Sequence, residues 1–74
     1  MGLVQSLAIQ VTVNGESKTV PPDQSVAALL KFLTIDSDHV AVELNKSLVR
    51  KRDWQQTAVS NGSQIEIVEF VGGG

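Results

Sequence analysis

Leu7, Ile9, Val11 and Val13 alternate with Ala8, Gln10 and Thr12. This period of two predicts a strand with one buried face. Asn14-Gly15 follows at once, and because both residue types accept positive φ, Ser17 to Val20 is expected to return as an antiparallel partner. Pro21-Pro22 then closes the ladder, since proline has no N–H to give. Val26, Leu29, Leu30 and Leu33 recur at the spacing of one helical face, with Ala27 and Ala28 between them. Asp23 or Ser25 stands where a capping side chain is needed.

Thr34 to His39 is polar and reads as a loop. Val40, Val42 and Leu44 alternate with Ala41 and Glu43 as a third strand, and Asn45-Lys46 turns it into the short apolar run Leu48-Val49. Arg50 to Trp54 breaks the alternation, and Trp54 is expected to fold its ring over the edge of the core. Asn61-Gly62 is a further turn, followed by a last strand from Gln64 to Phe70. Ile65 and Ile67 should face one way and Glu66, Val68 and Phe70 the other, provided no bulge shifts the register. The order β, β, α, β, short β, β describes an α+β fold, one layer of sheet and one of helix. Residues 1–71 are expected to form a single domain and residues 72–74 a flexible tail.

Composition narrows the chemistry. A chain of 74 residues without cysteine has neither disulfide staples nor thiol catalysis, and with His39 as its one histidine a transition-metal site would lack ligands. Asp36 and Asp38 are two apart in a loop, but the glycine and terminal glutamate of a calcium loop are missing, so no metal is expected there. No apolar stretch approaches the roughly 20 residues of a membrane span, and the start lacks the features of a secretory signal, so a cytoplasmic location is expected. The net charge of -2 argues against general nucleic-acid affinity. Lys46, Arg50, Lys51 and Arg52 nevertheless share one short window with Trp54, which reads as a solvated basic surface with an aromatic anchor.

The last strand runs into Gly72, Gly73 and Gly74, beyond which only the α-carboxylate remains. Glycine-rich ends are often inert remnants. The functional reading starts from sterics: without Cβ atoms such a tail can thread a narrow channel in a partner, and three extended residues reach about 10 Å. Ordering them costs on the order of 1 to 2 kcal/mol each, so a docked surface elsewhere must drive insertion. Val68, Phe70 and Val71 are the candidates for that surface. A free carboxylate is a poor acyl donor until ATP converts it to an adenylate. This chain has neither a phosphate-binding glycine loop followed by lysine nor a cysteine to relay sulfur, so others must supply the chemistry.

With these elements placed, the chain resembles the ThiS sulfur carriers of thiamine biosynthesis. The resemblance rests on "VNGE", "SVAALLKFL", "HVAVELN", "RDW" and "IEIVEFVGGG", which together span most of Ile9 to Gly74. It departs in loops, with "NGSQ" where an acidic "DGD" is common, "KS" after Asn45 where a glycine is common, and Lys51 where proline often stands. "MGLVQSLA" extends ahead of the usual start. The resemblance implies a ubiquitin-like β-grasp, a mixed sheet of four to five strands on one main helix. It also implies that the chain is a protein substrate and carrier, not an enzyme, and binds no cofactor. Its Gly74 carboxylate would be adenylated with ATP by a ThiF-type adenylyltransferase and converted to a thiocarboxylate by a sulfur donor such as a cysteine desulfurase system. Thiazole synthase would accept the sulfur. Gly72 and Gly73 would be the thread, and Val68 and Phe70 would help dock partners.

Three alternatives stand beside this reading. The small subunit of molybdopterin synthase also ends in two glycines, but is usually longer and has an aromatic-rich early segment. A ubiquitin-like modifier would pass through the same adenylate and end joined to lysine. A β-grasp interaction module would bind by its sheet alone and work without Gly73 and Gly74.

Overall fold

The structure is a computed structural model that describes residues 7–70. In chain order its elements are β1 (Ile9–Val13), β2 (Glu16–Val20), β3 (Gln24–Ser25), α1 (Val26–Phe32), β4 (Val40–Leu44), β5 (Ser47–Val49), β6 (Ala58–Val59) and β7 (Gln64–Glu69). A five-stranded sheet has the order β2-β1-β7-β4-β5, with β1 and β7 parallel and every other neighbour antiparallel. The last strand therefore lies between the first and the fourth. A mixed sheet that clasps one helix on one face is the β-grasp arrangement.

Both short hairpins follow from residues that accept left-handed backbone. Asn14 and Gly15 have φ of 50° and 85°, and Asn45 and Lys46 have 51° and 72°. Positive φ at both central positions matches the right-handed twist of the flanking strands. β1 starts two residues later than the alternation predicts. Ile9 pairs with Val20, the last residue of β2, and Pro21 cannot carry the ladder further, so Leu7 lies outside the sheet and is 68% exposed.

Ser25, not Asp23, caps α1, its hydroxyl accepting from the Ala28 N–H at 3.1 Å. The two preceding helical N–H groups find partners far along the chain: Val26 donates to the Thr57 carbonyl at 2.9 Å and Ala27 to the Trp54 carbonyl at 3.1 Å. Donors at a helix start have no partner within the helix, so this segment completes the cap. The same contact aligns β3 with β6, Gln24 opposite Val59 and Ser25 opposite Ala58, a two-residue ladder that no alternation announces. At the other end the Ile35 N–H bonds to Leu30 and the Thr34 N–H to Lys31, with Thr34 at φ 61°. This is the Schellman ending of a helix.

Val26, Leu29 and Leu30 press onto Val11, Val13, Val20, Val40, Val42 and Ile65 from the sheet, and Trp54 and Val59 close the edge. Trp54 is 4% exposed, and its Nε1 donates to the Val49 carbonyl at 2.9 Å, so its polar group is satisfied at the core boundary.

Asparagine side chains extend the ladders beyond the strands. The Asn14 N–H donates to the Ile65 carbonyl at 2.9 Å, where β1 ends. Its side chain then bonds the next available residue of β7, Oδ1 accepting from the Ile67 N–H at 2.7 Å and Nδ2 donating to the Ile67 carbonyl at 3.1 Å. Asn45 works likewise on the β4 side, its N–H donating to the Gln64 carbonyl at 2.7 Å and its Oδ1 accepting from the Gln64 N–H at 2.8 Å. Asn61 Oδ1 accepts from the Gln10 N–H at 2.9 Å. Each net hydrogen bond is worth about 0.5 to 1.5 kcal/mol, so Asn14→Gly, which preserves the turn, is expected to destabilise by about 1 to 2 kcal/mol in urea unfolding. Hydrogen exchange at the Ile67 amide should accelerate by more than global unfolding explains. Unchanged protection there would mean that the Asn14 amide does not secure β7.

Candidate functional site

Strand register decides which residues face away from α1. Val42 pairs with Ile67 and with Val49, and Leu44 with Ile65, so these point into the core. The alternate set points outward: Glu43 opposite Glu66 and Leu48, and Ala41 opposite Val68. Phe70 continues this set, its N–H donating to the His39 carbonyl at 2.9 Å. No bulge turns it inward.

Val68 is therefore 59% and Phe70 47% exposed, as the alternation predicts. Leu48, 64% exposed, joins them although it was not among the predicted docking residues. The signal for it was present. Adjacent strand residues face opposite ways, so Leu48 and Val49 could not both enter the core. The Phe70 ring meets the edge of His39 in a T-shaped contact with centroids 6.3 Å apart. His39 is exposed, yet its backbone ties the end of the last strand to the start of β4.

The other predicted positions separate into described and undescribed ones. Val71, Gly72, Gly73 and Gly74 lie outside the described residues. Asp36 serves as a cap, its Oδ1 accepting from the Asp38 N–H at 3.0 Å. Lys51 to Asp53 form a 3-10 turn that places Lys51 3.8 Å from Asp38 and 5.9 Å from the centroid of the Trp54 ring. A cleft of about 470 Å3 beside α1, lined by Ser25, Ile35, Ser37 and Trp54, brings in a single charged side chain, Lys31. No helix among the described residues is long and apolar enough to cross a membrane.

The pattern shared by ThiS proteins matches residues 11–74 of this chain. The chain belongs to the ThiS family. The crystal structure of the thiamine biosynthesis protein ThiS from Geobacter metallireducens superposes with a TM-score of 0.80 at 33% identity, over 89% of this chain and all of that one. A solution structure of a thiamine biosynthesis protein from the same organism gives 0.74 at 33% identity, over 89% and 88%. These likenesses establish the β-grasp. Among curated relatives, a thiazole synthase of Paramagnetospirillum magneticum is 42% identical over 66 residues, which are 89% of this chain but 20% of that protein. The chain thus spans about a fifth of that relative's length. The uncharacterized protein ycf40 of Porphyra purpurea is 32% identical over 66 residues and is covered over 93% of its length.

As a ThiS-family surface, the outer face should be free of structural duty. Phe70→Ala is expected to change stability by less than about 0.5 kcal/mol, as for most exposed positions. Ile65→Ala on the opposite face of the same region should cost about 2 to 5 kcal/mol through the cavity it leaves. Comparable losses for both in chemical denaturation would show that Phe70 is packed as core.

Proposed function

We propose that the chain is a sulfur carrier of thiamine biosynthesis acting in the cytoplasm, with the Gly74 carboxylate as its working group. The observation that carries this reading is that the family match runs to residue 74, so the stretch that holds the three glycines lies within the matched region. The geometry supports it. β7 is paired along both edges and aims an apolar outer face at the point where the chain continues toward its end.

The chemistry begins when the Gly74 carboxylate attacks the α-phosphorus of ATP in a ThiF-type adenylyltransferase. Pyrophosphate leaves and an acyl adenylate forms. A donor such as a cysteine desulfurase system supplies sulfur as an enzyme persulfide, whose terminal sulfur attacks the acyl carbon as the C–O bond to AMP breaks. A thiol then cleaves the resulting acyl disulfide, the two thiol sulfurs ending as a disulfide and the terminal sulfur staying on Gly74 as a thiocarboxylate. ATP is consumed in the partner, and the carrier itself holds no cofactor. Its own part is to present a slender tail and to bind. Gly72 and Gly73 thread the channel, while Val68, Phe70 and Val71 dock the body of the domain. Fully burying one apolar side chain of that size contributes about 1.5 to 3 kcal/mol, so several docked side chains together are needed to offset about 1 to 2 kcal/mol for each ordered tail residue.

Thiazole synthase is the acceptor this reading favours. In Paramagnetospirillum magneticum a protein of that name contains a stretch similar to this chain, and joining two partners covalently raises their effective concentration.

Deletion of Gly73 and Gly74 is expected to leave the thermal midpoint unchanged and to abolish sulfur transfer to thiazole synthase. Transfer that survives the deletion contradicts the mechanism. Phe70→Ala should weaken association with the activating enzyme by about tenfold or more, in the range of an interface hot spot. Unaltered affinity, measured by titration calorimetry, would remove Phe70 from the docking surface.

A further inference from the structure

The outer face is chemically polarised. Glu43 and Glu66 stand directly opposite each other on neighbouring strands, an unfavourable pairing of like charges that an isolated sheet has no reason to keep. Leu48 flanks Glu43 on the other side, and the next row along the face is the apolar pair Ala41 and Val68. Beyond it Ala41, Leu48 and Phe70 line a shallow cleft of about 380 Å3 whose rim is Arg50, Lys51 and Arg52. That rim carries half of the six basic residues of a chain whose net charge is -2. Lys51 is engaged with Asp38 and Trp54, whereas Arg50 and Arg52 are exposed and form no ion pair among the described residues.

From this order of acid, apolar floor and base we infer that the cleft receives an acidic segment of a partner protein, one that carries an apolar side chain between carboxylates. The apolar side chain lies between Leu48 and Phe70. Its flanking carboxylates meet Arg50 and Arg52, whose planar forks donate to carboxylate oxygens two at a time. Charge complementarity selects this occupant, and the Glu43–Glu66 pair keeps it at the basic end of the face by repelling its carboxylates from the far side. The same pair opposes a nucleic-acid backbone, and the apolar floor offers nothing to a phosphate. This inference rests on the carrier reading for one element, that the segment belongs to an enzyme which processes the tail. Phe70 lies four residues before the terminal Gly74, so a partner seated in the cleft stands where the tail leaves the domain.

The test uses the whole chain, isotopically labelled for NMR, and the peptide acetyl-Glu-Asp-Leu-Phe-Glu-Asp-amide, with a control in which lysines replace the four acids. The acidic peptide is expected to shift the amides of Leu48, Arg50 and Phe70 saturably, and less as salt is raised. The control peptide should not. Arg50→Glu with Arg52→Glu should raise the Kd by about tenfold or more, and Leu48→Ser should weaken binding as well, with the remaining spectrum unchanged because all three side chains are exposed. Equal binding of the lysine control, wild-type affinity in the double reversal, or no saturable shift at all overturns the proposal. Loading of Gly74 with sulfur, followed separately by mass, distinguishes the two readings. Loading without peptide binding removes the cleft alone, and peptide binding without loading removes the carrier role alone.

Discussion

The structure depends on β7 being held along both edges at once. Ile65 pairs with Val13 on one side and Leu44 on the other, and where β1 runs out the Asn14 amide takes over its role at Ile67. A strand so fixed cannot slip by one residue without carrying Ile65 out of the core and Val68 into it. That constraint gives the strand two independent uses. Its inward residues fasten α1 to the sheet, and its outward residues remain free for recognition. β7 is therefore fixed as far as Glu69, and a partner that docks on its outer face lies beside the end of that strand.

The outer face shows what the fold leaves unspent. Leu48, Val68 and Phe70 expose apolar surface although the core beneath is well filled, and cations gather at one end while carboxylates oppose each other at the other. Stability alone favours neither arrangement. Both are understandable if the domain is one half of a complex, with orientation set by charge and affinity by a few buried side chains. A carrier that visits several enzymes in turn is suited by such a surface, because contacts must be specific yet reversible.

Much of this was legible in the residues themselves. The alternation in Ile9 to Val13 and in Gln64 to Phe70, the Asn-Gly turns, and the helical spacing of Val26, Leu29 and Leu30 are local signals, and local signals survive in the fold. The same alternation correctly exposes Val68 and Phe70. What was not legible is what the chain makes only over long distances. The β3–β6 ladder has two residues a side and arises because the segment Trp54 to Thr57 caps α1, so nothing near Gln24 announces it. Asn14 reads as a turn residue, and its second role at Ile67 exists only once residues 53 apart have met. The basic window was visible, but its position beside Phe70 comes from the pairing of β4 with both β5 and β7. Leu7 marks the opposite error, where alternation continued past the point at which Pro21 deprives β1 of a partner.

The central claim is that this domain serves as a scaffold for one reactive atom at its end. Its most direct test is the intact mass of the chain after incubation with ATP, an active ThiF-type enzyme and a sulfur source. The account predicts a gain equal to the difference between sulfur and oxygen, confined to the C-terminal peptide. No gain, or a mass corresponding to a bond between Gly74 and a lysine of another protein, would contradict it.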